Sequence, residues 1–156
     1  MDYIQVNEYS RLYEFDPNKK YNKNSILIEE RIFCRFLEQY GWEKFKREEY
    51  NSGKNHIYVI LDYKREKPEW VGFMHVLECN GISKRCIQKI YFLEDKLFSK
   101  KVVFIHTIDV QRPFRRQNYA SYMVEMVRKN FGEKADLMVE ATKKGKKFWP
   151  AVGFCK

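Results

Sequence analysis

A chain of 156 residues, 44% hydrophobic and 33% charged, belongs with globular rather than disordered proteins, is one domain by size, and buries roughly 70% of its unfolded surface in a single core. Its net charge of +9, from 30 basic against 21 acidic residues, attracts nucleotides, RNA, acidic proteins and anionic membranes alike, so charge excludes little and selects no partner. No apolar run approaches a membrane span and the start MDYIQVNEYS lacks the regions of a signal peptide, so the expectation is a soluble cytoplasmic protein with no membrane partner. Cys34, Cys79, Cys86 and Cys155 show no zinc-type spacing and read as free thiols, with no metal expected.

In chain order, Tyr3 to Tyr9 alternates as a first strand and Asp16-Pro17-Asn18 signals a turn. Ser25 followed by Ile26, Ile28, Ile32, Phe33, Phe36, Leu37 and Tyr40 predicts a capped amphipathic helix that Gly41 ends, with a second short helix from Trp42 to Tyr50. After the break at Asn51-Ser52-Gly53, the runs His56 to Tyr63 and Trp70 to Glu78 predict a β-hairpin. Asn80-Gly81 marks another turn, and Ile82 to Lys101 has no clean period.

The most informative stretch is Val102 to Arg128. Val102 to Val110 is an apolar, β-branched run that suits a strand covered on both faces, and Pro113 ends its ladder. Arg115-Arg116-Gln117-Asn118-Tyr119-Ala120-Ser121 follows, and Tyr122, Met123, Met126 and Val127 recur on one helical face. A helix N-terminus presents unpaired N–H groups and about half a positive charge, so two arginines beside it suit a pyrophosphate. Ala135 to Ala141 then reads as a strand and Phe148 to Phe154 as an aromatic closing segment. The resulting order is that of a mixed α/β fold.

From Val102 to Phe154 the sequence resembles the GCN5-related N-acetyltransferases. Their coenzyme-A loop reads Arg or Gln, two residues, Gly, one residue, then Gly or Ala, and Arg115, Asn118 and Ala120 occupy those places. Asn118 stands where the family usually has glycine, and asparagine best tolerates left-handed backbone among the others. Phe148 to Phe154 is similar to the family's Phe-Tyr-x-x-x-Gly-Phe signature, with Trp149 in place of the tyrosine that serves as general acid.

The resemblance implies a mostly antiparallel mixed sheet with flanking helices, acetyl-CoA as cosubstrate, and transfer of acetyl to a primary amine by direct attack on the thioester. It implies carbonyl-polarising N–H groups at Ile108, Asp109 and Val110, and coenzyme contacts from Arg115 through Ser121, with Trp149 packing in the core or also walling the pantetheine tunnel. The acceptor stays open among small amines, peptides and aminoacyl-RNA. A catalytically degenerate module that binds acyl-CoA or RNA is the alternative.

For the base, alternation places His106 on the face of Phe104, Ile108 and Val110, and an imidazole titrates near neutrality. A buried, hydrogen-bonded structural histidine explains it equally well. Glu78 and Glu140 are the further candidates. The family's usual last strand has no counterpart after Phe154, so the sheet is expected to lack it. The edge beside the penultimate strand should then be solvated, covered by Ile82 to Lys101, or paired with a second copy in a homodimer.

Overall fold

The computed structural model describes residues 2–45, 54–79, 90–93, 102–132, 135–140 and 147–155. The Asn51-Ser52-Gly53 break, the Asn80-Gly81 turn, residues 46–50 of the expected second helix and most of 82–101 lie outside these. Among the described residues one sheet carries eight strands, β1 (Ile4–Gln5), β2 (Ser10–Phe15), β3 (Lys54–Asp62), β4 (Glu69–Cys79), β5 (Ile90–Leu93), β6 (Val102–Val110), β7 (Asp136–Glu140) and β8 (Phe154–Cys155). Their order across the sheet is β1-β2-β3-β4-β6-β7-β5-β8. All neighbours are antiparallel except β6 and β7, which are joined by a helical crossover and run parallel.

The first strand differs from expectation: Tyr3 to Tyr9 supplies only β1 and the turn into β2. Asn7 Oδ1 accepts the backbone N–H groups of Tyr9 and Ser10 there, which bends the chain before a long strand can form.

Helix α1 (Ile28–Tyr40) starts three residues after Ser25. The Ser25 hydroxyl accepts the Leu27 N–H and donates to Glu30, so it shapes the approach rather than capping the helix, and Ile26 is 99% exposed instead of on the apolar face. Gly41 ends α1 as expected, at φ +76°, a left-handed geometry that glycine adopts without a side-chain penalty. A short helix α2 (Trp42–Phe45) follows.

Two apolar layers hold the sheet. On one face Phe33 and Phe36 of α1 pack with Tyr13, Phe15, Ile57, Val59 and Phe73. Phe15 and Phe33 stack with ring centroids 4.5 Å apart. On the other face α3 (Tyr119–Phe131) lays Met123, Val124 and Val127 against Met74, Val76, Val103, Ile105 and Val139. The last short helix, α4 (Phe148–Ala151), adds Trp149 to that second layer.

The place of the expected final strand is filled from an earlier part of the chain. β5, inside the stretch that has no legible period, pairs with β7 on one side and with β8 on the other, Phe92 opposite both Met138 and Cys155. Of the three outcomes expected for the β7 edge, the structure shows the one in which the Ile82 to Lys101 stretch covers it, through β5, within the chain.

Candidate active site

Strand β6 is the backbone of the site. Among the described residues its pairing with β7 runs to Ile105 opposite Val139, and β6 continues five residues further to Val110. On its other edge β6 stays paired with β4 up to Val110 opposite Gly72. Gly72 permits the close approach, since a Cβ there would lie 2.6 Å from the Asp109 carbonyl oxygen. The Gln111 N–H donates to the Val71 carbonyl across β4 at 2.8 Å, so strand alternation turns the N–H groups of Ile108 and Val110 away from β4 and that of Asp109 toward it. Two of the three expected donors thus lie on the β6 edge away from β4.

Beyond β6 a single 3-10 turn at Arg112–Phe114 leads into the basic loop. Asn118 has φ +66° and ψ 15°, the left-handed geometry anticipated for it, and Arg116 shares the conformation at φ +64°. The Asn118 side chain makes no capping bond to α3, whose first helical bond runs from the Tyr122 N–H to the Asn118 carbonyl. The N–H groups of Tyr119, Ala120 and Ser121 precede that bond and are donors suited to a phosphate.

Arg115 takes a different part from Arg116. Its Nε donates to the Val110 carbonyl at 2.9 Å and its guanidinium lies 3.7 Å from Asp109, which ties the loop back to the strand end. Gln117 similarly reaches the Pro113 carbonyl at 3.3 Å. The loop shape is therefore braced by the side chains that sequence reading assigned to the coenzyme, and Arg116 is the basic side chain of the pair outside that bracing.

His106 is moved from its expected face. His75 pairs with Thr107 and Val76 with Ile105, so His106 is the extra residue of a β-bulge and strand alternation restarts after it. Val103, Ile105, Ile108 and Val110 all lie against the α3 layer, whereas His106 is on the α1 face with Tyr40, His75 and Thr107. It shares a face with Phe104, at 6.1 Å between ring centroids, but not with Ile108 or Val110.

Around it stands a polar cluster inside an aromatic wall. The Tyr40 hydroxyl is 2.8 Å from His75 Nδ1, 3.2 Å from Thr107 Oγ1 and 3.4 Å from His106 Nδ1. His106 Nδ1 is 2.7 Å from Thr107 Oγ1, and His75 Nε2 is 2.7 Å from Asn55 Oδ1. Burial first, then the neighbouring His106 and His56 rings, push the His75 imidazole down to about 3, so His75 is neutral at physiological pH.

Sequence reading missed Tyr40, His75, Asn55 and Thr107. Tyr40 counted as one more apolar residue at helical spacing, and His75 was a lone polar residue within an apolar strand. The signal was that solitary histidine.

The other candidates separate cleanly. Glu78 pairs with Val103 at the far end of β6 and lies 3.3 Å from His56 Nε2, whose Nδ1 is 2.6 Å from Glu14. It is a buried-side ion-pair partner on the α3 face, away from the Val110 end of β6. Glu140 is the last described residue of β7, one beyond the last β6–β7 pair, and is paired with Ile90 of β5 on the other side. Tyr119 is 5% exposed, its hydroxyl 2.8 Å from Ser10 Oγ and 3.1 Å from Asn7 Nδ2, so its ring is core and only its backbone faces the loop.

Trp149, 4% exposed, packs edge-on with Phe148 and Phe154, which bears out the core reading of that residue. On the α1 face a cavity of about 480 Å3 opens between Phe36, Gln39, Trp70, Gln111 and Phe114. A second, of about 600 Å3, lies beside Glu14 and His56 at the opposite end and touches none of the loop residues. Among the described residues no group of three or more His, Cys, Asp or Glu is placed to hold a metal ion, and no helix is long and apolar enough to cross a membrane.

No protein-family model and no curated protein sequence matches the chain. Solved structures do match. One is AtaTR bound with acetyl-CoA, at a TM-score of 0.56 and 14% identity over 94% of this chain and 86% of that one. Another is the xEco2 acetyltransferase domain with a lysine–CoA conjugate, at 0.55 and 16% over 97% and 92%. A third is the aminoglycoside N-acetyltransferase AAC(6')-Iy with CoA, at 0.53 and 12% over 98% and 93%. The chain has the fold of the GCN5-related N-acetyltransferases. That likeness extends over nearly the whole chain, whereas the sequence motifs cover only its last third, Val102 to Phe154.

Proposed function

We propose that this protein is an acetyl-CoA-dependent N-acetyltransferase that acylates a primary amine, with His106 as the base. The observation that carries the reading is that β6 continues beyond its last described pair with β7, through a bulged histidine, to an end that delivers directly into a left-handed helix start. The neighbours of the same fold are acetyltransferases solved with acetyl-CoA, CoA or a CoA conjugate, which favours the same class of cosubstrate here.

Acetyl-CoA, when bound, supplies an acyl group activated as a thioester. Donors at the loop and at the end of β6 suit its phosphates and its carbonyl. The N–H groups of Tyr119, Ala120 and Ser121, with the Arg116 guanidinium, meet the pyrophosphate. The N–H groups of Ile108 and Val110, on the β6 edge away from β4, suit a carbonyl oxygen that gains charge as the amine attacks. His106, one residue past the last described β6–β7 pair, takes the proton that the amine gives up.

The acceptor amine would approach His106 from the α1 face, the face that also carries the 480 Å3 cavity, of which His106 is not a lining residue. Trp149 donates no proton to the departing thiolate, because its indole is sealed in the core. The thiolate of CoA leaves unassisted, as a thiol of cysteine-like acidity is able to do.

The test is calorimetry with CoA followed by free-thiol release across a panel of amines. The expected outcome is binding with turnover that His106→Gln lowers about a hundredfold at unchanged CoA affinity. Turnover unaltered in that variant removes His106 from the base role and passes it to Glu140. Binding with no turnover for any amine supports the alternative, an acyl-CoA-binding module, which the absence of an acid at Trp149 favours.

A further inference from the structure

We propose that the acceptor is the free N-terminus of a peptide, held by a site that recognises an aromatic side chain and a neighbouring carboxylate about four residues from the reacting amine. The amine end of this inference rests on the acetyltransferase reading, and the rest on the 480 Å3 cavity of the α1 face. A space of that size takes a small molecule or a few side chains, not a folded surface.

Length decides the class of acceptor. Past the bulge, alternation puts the side chains of Thr107, Asp109 and Gln111 on the α1 face, Thr107 beside Tyr40 and Gln111 in the cavity wall. At a strand rise of about 3.3 Å per residue, Thr107 and Gln111 stand about 13 Å apart. His106 adjoins Thr107 and does not line the cavity, so an acceptor seated in the cavity has to span that distance to reach it. A simple amine or a single amino acid is too short, whereas an extended peptide covers the span with about four residues.

The cavity has the chemistry for such a chain. Phe36 and Trp70 meet with ring centroids 6.0 Å apart, and Phe114 adds a third aromatic side to the lining. Gln111 is fixed at both of its donors: its backbone N–H reaches the Val71 carbonyl and its Nε2 the Trp70 carbonyl, each at 2.8 Å. That leaves Oε1 as an acceptor uncommitted among the described residues, suited to a backbone N–H.

Charge selects the acidic residue. Of the charged side chains in the lining, Arg65 and Glu69 pair with each other at 3.3 Å, and Arg35 has no acidic partner among the described residues. One uncompensated guanidinium matches one carboxylate. A nucleic acid brings a run of phosphates and calls for several such cations.

The amidated peptides Gly-Ser-Ala-Phe-Glu and Gly-Ser-Ala-Phe-Gln test this, by free-thiol release with acetyl-CoA and by calorimetry in the presence of CoA. The acidic peptide should show a KM at least about tenfold below that of its glutamine counterpart and below that of phenylethylamine. Moving the Phe-Glu pair to the second and third positions should remove the advantage. Arg35 is exposed, so Arg35→Glu should fold normally and invert the preference in favour of Gly-Ser-Ala-Phe-Lys.

Equal KM for the acidic and glutamine peptides, a preference unmoved by Arg35→Glu, or a simple amine that serves as well overturns the proposal. So does an aminoacylated RNA that alone turns over, or the failure of every peptide to bind. An acidic peptide that binds with the expected dependence on Arg35 but releases no thiol upholds the peptide site and overturns the acetyltransferase reading alone.

Discussion

Tyr119 decides between two views of the loop, since it stands in the coenzyme motif by sequence and in the core by structure. Tyr119→Phe removes only the hydroxyl, which joins Ser10 Oγ at 2.8 Å and Asn7 Nδ2 at 3.1 Å. Ser10 is fully buried, so its hydroxyl would lose its partner without gaining water. A buried polar group left unsatisfied costs about 1 to 3 kcal/mol, which for a chain of this length lowers the melting temperature by roughly 2 to 4 °C per kcal/mol.

About 2 kcal/mol and a fall of about 4 to 8 °C is the expected outcome for the single variant in a thermal melt. Adding Ser10→Ala removes the orphaned hydroxyl, so the double variant should be less destabilised than the two single variants together imply. Calorimetry with CoA should give an unchanged affinity throughout. A variant with wild-type stability but weakened CoA binding would refute the reasoning, because the hydroxyl would then serve the ligand and not the anchoring of α3 on the β1–β2 turn.

Arg115 and Arg116 should differ when replaced singly by alanine: loss of Arg116 weakens CoA about tenfold in calorimetry, and loss of Arg115 lowers stability as well, because the Val110 carbonyl loses its donor. Asn118→Gly should bind CoA as well as the wild type, while Asn118→Ala should lose affinity and stability by about 1 kcal/mol, the cost of left-handed geometry for an ordinary residue. The His75 imidazole is held down to about 3 when folded and returns to its ordinary value when unfolded. Its contribution is therefore complete above pH ~6.5 and is lost as pH falls toward 3, by up to about 1.4 kcal/mol per pH unit. Urea titrations between pH 7 and pH 4 should show that slope reduced in His75→Gln. Gly153 has φ +97°, and a Cβ there would lie 2.9 Å from the Arg128 guanidinium that binds the Val152 carbonyl, so Gly153→Ala should lower the melting temperature measurably.

Local signals in the sequence determined much of this protein. The β6 strand, the Gly41 helix end, the β3–β4 hairpin and the left-handed Asn118 were all legible, because each depends on propensities and periods carried by a few neighbouring residues. Residues whose roles need long-range pairing were not. Glu78 reads as a strand-end carboxylate until the sheet brings His56 beside it, and Tyr119 reads as a loop residue until the β1–β2 turn offers it Ser10. Ile90 to Leu93 shows no period because its environment is set by β7 and β8, which lie more than forty residues away in sequence.

The bulge at His106 is the clearest case. Strand period two is a local rule, and from it His106 belongs beside Ile108 and Val110. Only the pairing of β6 with β4 reveals that one residue is in excess, and that single residue inverts the face of everything before it relative to everything after. The residue types needed for chemistry were thus set by the sequence, while which of them meet was decided by sheet register, a property of contacts between distant segments that no local pattern encodes.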